Sequence, residues 1–133
     1  PLSSCVSQRM WCPPPATTAL RMAALYECLR TQFPPFCRWK LPEADEIVFR
    51  VTRHSDRQGH YAPDEGQGHE IVISERWCNT FETMMLLLAH EMIHLHQRIA
   101  KSAGTGEHNQ EFRRIARRIC KTYLWDYKQF ITT

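Results

Sequence analysis

Two histidines four residues apart flank a glutamate in His90-Glu91-Met92-Ile93-His94. On a helix this spacing projects both imidazoles from one face, about one turn apart. Two nitrogens so placed can bind a single zinc ion at ~2.0–2.1 Å. Glu91 follows His90 at roughly 100° round the helix. There it can approach a metal-activated water without being a ligand, which is the position of a general base. Zinc lowers the pKa of its water to about 7, and the carboxylate can take the proton as that water attacks a carbonyl. Composition alone can also produce such a triplet in a chain with 7 histidines. These three residues, however, interrupt the most apolar stretch of the protein, where titratable groups are costly unless they have partners. A metal site accounts for the interruption.

A catalytic zinc takes three protein donors and keeps one position open. His108, just upstream of the last helical pattern, is the leading candidate for the third donor. Glu107 and Glu111, the only glutamates beyond His94, are the alternatives. His96 is two residues past His94, so it faces away and reads as a surface histidine. Gln97 stands where a metzincin needs glycine and Ala100 where it needs a third histidine, which excludes that class. Tyr61, His60 and Tyr123 are the residues to check as oxyanion donors.

The elements that would position these groups follow from periodicity. Met22, Leu25, Tyr26, Leu29 and Phe33 recur at helical spacing, predicting a helix over about 17–32 that Pro34-Pro35 ends. Residues 47–53 alternate as a strand, with Ile47, Phe49 and Val51 on one face. Gly59 to Pro63 reads as a second strand, Asp64 to Gly68 as a turn, and Ile71-Val72-Ile73 as a third strand. Asn79, with Glu82 three residues on, predicts the start of the active-site helix, and Gly104 its stop. That helix is apolar nearly all round and should lie at the centre of the domain. A last helix over about 109–125 carries Phe112, Ile115, Ala116, Ile119 and Tyr123 as one stripe. Arg113, Arg114, Arg117, Arg118 and Lys121 fill much of its remaining surface, as a solvated face or as a contact for DNA phosphates.

With 133 residues the chain is expected to form one domain, 17–133, behind an extended Ser-, Pro- and Cys-rich arm at 1–16. Its 43% hydrophobic and 23% charged residues are those of an ordinary globular protein. The net charge of +3 permits acidic partners without demanding them. The longest apolar run, Met84 to Ala89, is far short of the ~20 residues of a membrane helix, so no membrane partner is expected. No secretory-type segment opens the sequence. Cys5, Cys12, Cys28, Cys37, Cys78 and Cys120 contain no Cys-x-x-Cys pair, which excludes a zinc ribbon. Cys28 and Cys120 fall in helical patterns as small core residues, and reduced thiols in a cytoplasmic protein are expected.

The sequence resembles the SprT-like family of zincin metallopeptidases, which includes the DNA–protein crosslink protease Spartan. Three segments carry the resemblance: His90-Glu91-Met92-Ile93-His94 after its apolar run, the strand Ile71-Val72-Ile73-Ser74, and His108-Asn109-Gln110-Glu111-Phe112, similar to the family's His-Gly-Pro-Glu-Phe. A weaker likeness runs back through Leu41-Pro42 and Leu25-Tyr26 to Leu20. The resemblance implies that His90, His94 and His108 hold Zn2+ and that Glu91 is the catalytic base. Asn109 replaces the family's glycine, a position where asparagine best tolerates a left-handed backbone. The zinc ribbon of many members is missing, so a stand-alone domain is expected and ribbon-dependent DNA targeting is not implied.

The expected fold is therefore α+β, a zincin-like metallopeptidase domain with helices packed on a small, mostly antiparallel sheet. The strand at 70–74 is expected to edge the cleft, where a peptide could add as an extra strand. The expected function is zinc-dependent hydrolysis of protein or peptide substrates, including nucleic-acid-associated ones. The alternative is a non-catalytic zinc or nucleic-acid binding module, or a host-interaction module, on the same scaffold.

Overall fold

Helical spacing in the first third of the chain produces α1, Ala19–Gln32, with Met22, Tyr26 and Leu29 turned inward. Thr18 caps it by accepting from the Arg21 amide at 3.1 Å. The chain leaves α1 at Phe33 in extended conformation. Proline has no amide to continue the helical ladder at the two positions that follow. The Tyr26 hydroxyl donates to the Pro42 carbonyl at 2.6 Å, fastening α1 to the segment that enters the sheet. The computed structural model describes residues 18–53, 59–63, 68–77, 80–101 and 106–133. The arm at 1–16, Cys5, Cys12, Cys78, Asn79, Gly104 and most of the turn at 64–68 lie outside them.

Three strands follow: β1 (Ile47–Thr52), β2 (Gly59–Pro63) and β3 (His69–Ser74). Their order in the sheet is β1-β3-β2. β2 runs antiparallel to β3 with Tyr61 opposite Ile71, and β1 runs parallel to β3 with Phe49 opposite Ile71. The sheet is thus small and mixed. The expectation that the 70–74 strand edges the cleft is not met. β3 is central and paired on both sides, which leaves no backbone edge for a peptide. Ile71, Val72, Ile73 and Ser74 are all buried, as in a strand covered on both faces. Among the described residues, β2 has one side without a strand partner.

The apolar run becomes α2, Phe81–Ala100, which packs against β2, β3 and the other three long or short helices. Thr80 caps it, not Asn79. The Thr80 hydroxyl accepts from the Thr83 amide and the Thr83 hydroxyl accepts from the Thr80 amide, so the reciprocal cap forms one residue later than the Asn79–Glu82 spacing suggested. Lys101, at φ 57°, closes its C-terminal end. The last pattern forms α3, Gln110–Tyr123, with Phe112, Ile115, Ala116, Ile119 and Cys120 buried. Leu124 ends it in a left-handed conformation.

A short helix, α4 (Tyr127–Ile131), has no counterpart in the sequence reading. Asp126 caps it, and it drives Phe130 fully into the core. Cys28, Cys37 and Cys120 are free thiols. Among the described cysteines only Cys120 is a core residue; Cys28 sits on the exposed side of α1, because the inward stripe is filled by Met22, Tyr26 and Leu29. Among the described residues no helix is long and apolar enough to cross a membrane.

Candidate metal centre

α2 carries His90 and His94 on one face, and the short turn before α3 brings His108 over them. One ring nitrogen from each of the three lies within 4.8 Å of the others. The Nε2 atoms of His90 and His108 are 3.0 Å apart. Tetrahedral zinc with ~2.0–2.1 Å bonds sets its nitrogens about 3.3 Å from one another, so the spacing suits a shared ion. Phe112 underlies the cluster, with its ring centroid 4.9 Å from that of His90, 4.5 Å from His94 and 4.7 Å from His108.

Several contacts fix how the rings present their nitrogens. The carbonyl of Phe130 can only accept, so His90 donates from Nδ1 at 2.9 Å and keeps the Nε2 lone pair facing the cluster. The Thr133 hydroxyl lies 3.2 Å from the same Nδ1 and donates to the Phe130 carbonyl at 2.7 Å. His108 is held through its backbone. Gly106 takes φ +88°, which favours glycine, and turns the chain back over α2. Arg113 donates to the His108 carbonyl at 2.9 Å. Asn109 is extended (φ −71°, ψ −178°) rather than left-handed. Its side chain accepts from the Phe112 amide at 2.9 Å and from the buried Gln97 amide at 3.3 Å. The replacement for the family's glycine is therefore an N-cap that also ties the loop to α2.

Glu91 is 2% exposed and stands beside β2. A Cβ added to Gly59 would meet Glu91 Oε2 at 3.4 Å and the Val72 carbonyl at 3.1 Å. The tighter of the two contacts is with the Val72 carbonyl, so Gly59 lets β2 lie close against β3 beside the carboxylate. The Phe130 carbonyl, Thr133, Gln97 and Gly59 were not singled out by the sequence. A backbone acceptor and a missing side chain carry no residue-type signal, and Gln97 drew notice only as a departure from another class.

Burial makes these imidazoles poor proton acceptors. It pushes His90 down to about 3 and His94 to about 4. His69, His96 and His108 are lowered by the same cause. At neutral pH the lone pairs are therefore free for a metal. In the metal-free protein the sign of the linkage is fixed. Below the unfolded value of ~6.5 the unfolded chain binds protons that the folded one refuses, so stability is complete above ~6.5 and falls as pH drops toward the folded values. Each of the two most buried rings contributes at most about 1.4 kcal/mol per pH unit inside that window. Denaturant midpoints of chelator-treated protein should fall steadily from pH 6.5 to pH 5. A flat profile there would contradict the buried, neutral state of the cluster.

The sequence model of the SprT-like family matches residues 26–132. The chain belongs to the SprT-like family. No curated protein matches it. The match takes in α2, the His108 turn and the Phe130 segment together, and the family implies a zincin-like fold related to metallopeptidases.

Other residues of this SprT-like domain stand apart from the cluster. Glu111 is paired with Arg114, at 2.7 and 3.0 Å, and is outside the histidine group. Glu107 is exposed on the turn. His96 is not a plain surface residue: its ring lies flat on Trp39 with centroids 4.0 Å apart, so it is half-buried while pointing away from the other three. The Tyr61 hydroxyl bonds His69 Nδ1 at 2.7 Å, and the Tyr123 hydroxyl donates to the Pro34 carbonyl, so both are engaged away from the cluster. His60 alternates with Gly59 and Tyr61 along β2 and therefore faces the opposite side. Arg113, Arg114, Arg117, Arg118 and Lys121 are all exposed, with Arg117 over the Tyr127 ring at 5.0 Å.

Proposed function

We propose that this SprT-like domain is a zinc metallopeptidase in which His90, His94 and His108 hold Zn2+ and Glu91 is the general base. One observation supports it above others: three neutral imidazoles converge on a buried helix beside a buried carboxylate. When bound, zinc supplies an acidified water and a polarised carbonyl. The rest falls to the chain. The Phe130 carbonyl keeps His90 in the tautomer that offers Nε2. Glu91 accepts the proton of the attacking water and can return it to the leaving amine. The open side of β2, rather than β3, offers a backbone edge for an extended substrate, next to Gly59 and Glu91. Purified protein should carry about one zinc per chain. Dialysis against a chelator should stop cleavage of an unfolded protein substrate, and added zinc should restore it. Cleavage that persists after the metal is gone would defeat the proposal.

Nucleic-acid association through Arg113, Arg114, Arg117, Arg118 and Lys121 is a second part of the proposal. Exposure of all five on one helix supports it, while the Glu111 and His108 contacts occupy Arg114 and Arg113. If the face meets phosphates, affinity for duplex DNA should fall steeply with salt, and the pair Arg118→Glu, Lys121→Glu should weaken it at least tenfold. Absence of binding at low salt would leave a solvated face.

A further inference from the structure

A second polar group lies just past the metal centre along both α2 and β2. Tyr61 is two residues beyond Gly59, where Glu91 stands, and so falls on the same face of β2 about 7 Å further on. Tyr61 pairs with Ile71 and Pro63 with His69, which sets Tyr61 and His69 diagonally across the two strands on that face. The Tyr61 hydroxyl is 2.7 Å from His69 Nδ1, and the rings stack with centroids 5.8 Å apart. Arg98 follows His94 by four residues, so it stands one turn, about 6 Å, further along the same face of α2. Burial raises the pKa of Tyr61 and lowers that of His69, which leaves both neutral; the Arg98 cation is the next cause acting on each, lowering both. Arg98 and the Tyr61–His69 pair therefore meet, the same short step past the metal centre.

Hydrogen-bond capacity and charge select the occupant. When the Tyr61 hydroxyl donates, the His69 Nε2 hydrogen is left over; when His69 donates, the Tyr61 hydroxyl hydrogen is left over. Either way the half-buried pair has one spare donor, and among the described residues no acceptor meets it. Arg98 is exposed and forms no salt bridge among the described residues. Glu46 also acts on His69, but its carboxylate accepts from the Glu43 amide at 3.0 Å. The dipole of α2 accounts for a cation in its last turn. It does not account for a spare donor beside that cation. A guanidinium and a neutral donor side by side suit a carboxylate. A peptide extended along the open side of β2 from Gly59 sets every second side chain on this face. We infer that Arg98, Tyr61 and His69 form a subsite for an aspartate or glutamate side chain two residues from the scissile bond. The inference deepens the peptidase reading and rests on it.

Mass-spectrometric mapping of cuts in a library of end-blocked peptides tests it with the zinc-loaded full chain. At one position two residues from the cut, glutamate and aspartate should exceed lysine by tenfold or more. Arg98→Glu should reverse that ratio. Arg98→Lys should keep its direction at reduced size, because a point charge replaces the planar fork. A second readout needs no turnover. Zinc-loaded Glu91→Gln protein should bind a fluorescent glutamate-containing peptide with an affinity that falls as salt rises. Adding Arg98→Glu should weaken that binding at least tenfold and strengthen binding of the lysine counterpart. Cleavage that uses glutamate and lysine equally at both such positions, or a preference that Arg98→Glu leaves in place, overturns the subsite and leaves the peptidase reading standing. Loss of duplex DNA binding in Arg98→Glu with the cleavage preference unmoved would assign the guanidinium to phosphate and overturn the subsite as well. No cleavage of any peptide overturns both.

Discussion

Glu91→Gln should bind zinc as the parent does and lose peptide hydrolysis by roughly 10²–10⁴-fold, the range expected when a general base is removed. The amide has nearly the shape of the carboxylate, so the buried position beside Gly59 still accommodates it. It cannot accept a proton. The three imidazoles cluster without Glu91, so the metal should stay. The fold should also survive, because α2 loses a buried charge and no packing volume. Zinc content by elemental analysis, the thermal midpoint and kcat/KM on an unfolded substrate report the three effects separately. Loss of zinc in step with activity would make Glu91 a ligand and the assigned role wrong. The same measurements separate an enzyme from a binding module. A domain that only holds zinc or a partner has no hydrolysis to lose, and the parent protein would show none.

The parts of this protein that were legible in its sequence are those whose signal is local. α2 was readable because His90, Glu91 and His94 break an otherwise apolar run, and burial demands a reason for them. α1 and α3 were readable from stripes that the core occupies as spaced, Met22 through Leu29 and Phe112 through Cys120. Cap choice was not, since Asn79 and Thr80 both favour the position. Strand order and direction were not either. Alternation in β1 states which face is buried but not which neighbour it meets. The uninterrupted apolar run Ile71-Val72-Ile73 was the one available hint that β3 is central. α4 spans five residues, too few to show a period, and its contribution to the site is a main-chain carbonyl. His96 looked like a surface residue because spacing along α2 shows only that it turns away from His94. That Trp39 waits for it is a long-range fact.

His108→Ala should lower zinc affinity by more than the 10–100-fold that loss of a merely supporting contact costs, because it removes one of three donors. Activity should fall with it at zinc concentrations that saturate the parent. The two rival donors give the contrast. Glu111 is held by Arg114 through both oxygens, and Glu107 is exposed, so Glu107→Ala and Glu111→Ala should each change zinc affinity little. The loop carrying His108 is built to hold it: Gly106 makes the reversal, Arg113 grips the His108 carbonyl, and Gln97 reaches across from α2 to Asn109. None of these contacts uses the His108 side chain, so truncating it leaves the Asn109 cap and the loop path in place. A drop in affinity would therefore report the missing nitrogen rather than a collapsed turn. Competition of each variant against a calibrated zinc chelator, with circular dichroism to confirm α2 and α3, measures the difference. Should Glu107→Ala or Glu111→Ala prove as damaging as His108→Ala, a carboxylate would share the site and the three-histidine assignment would have to be abandoned.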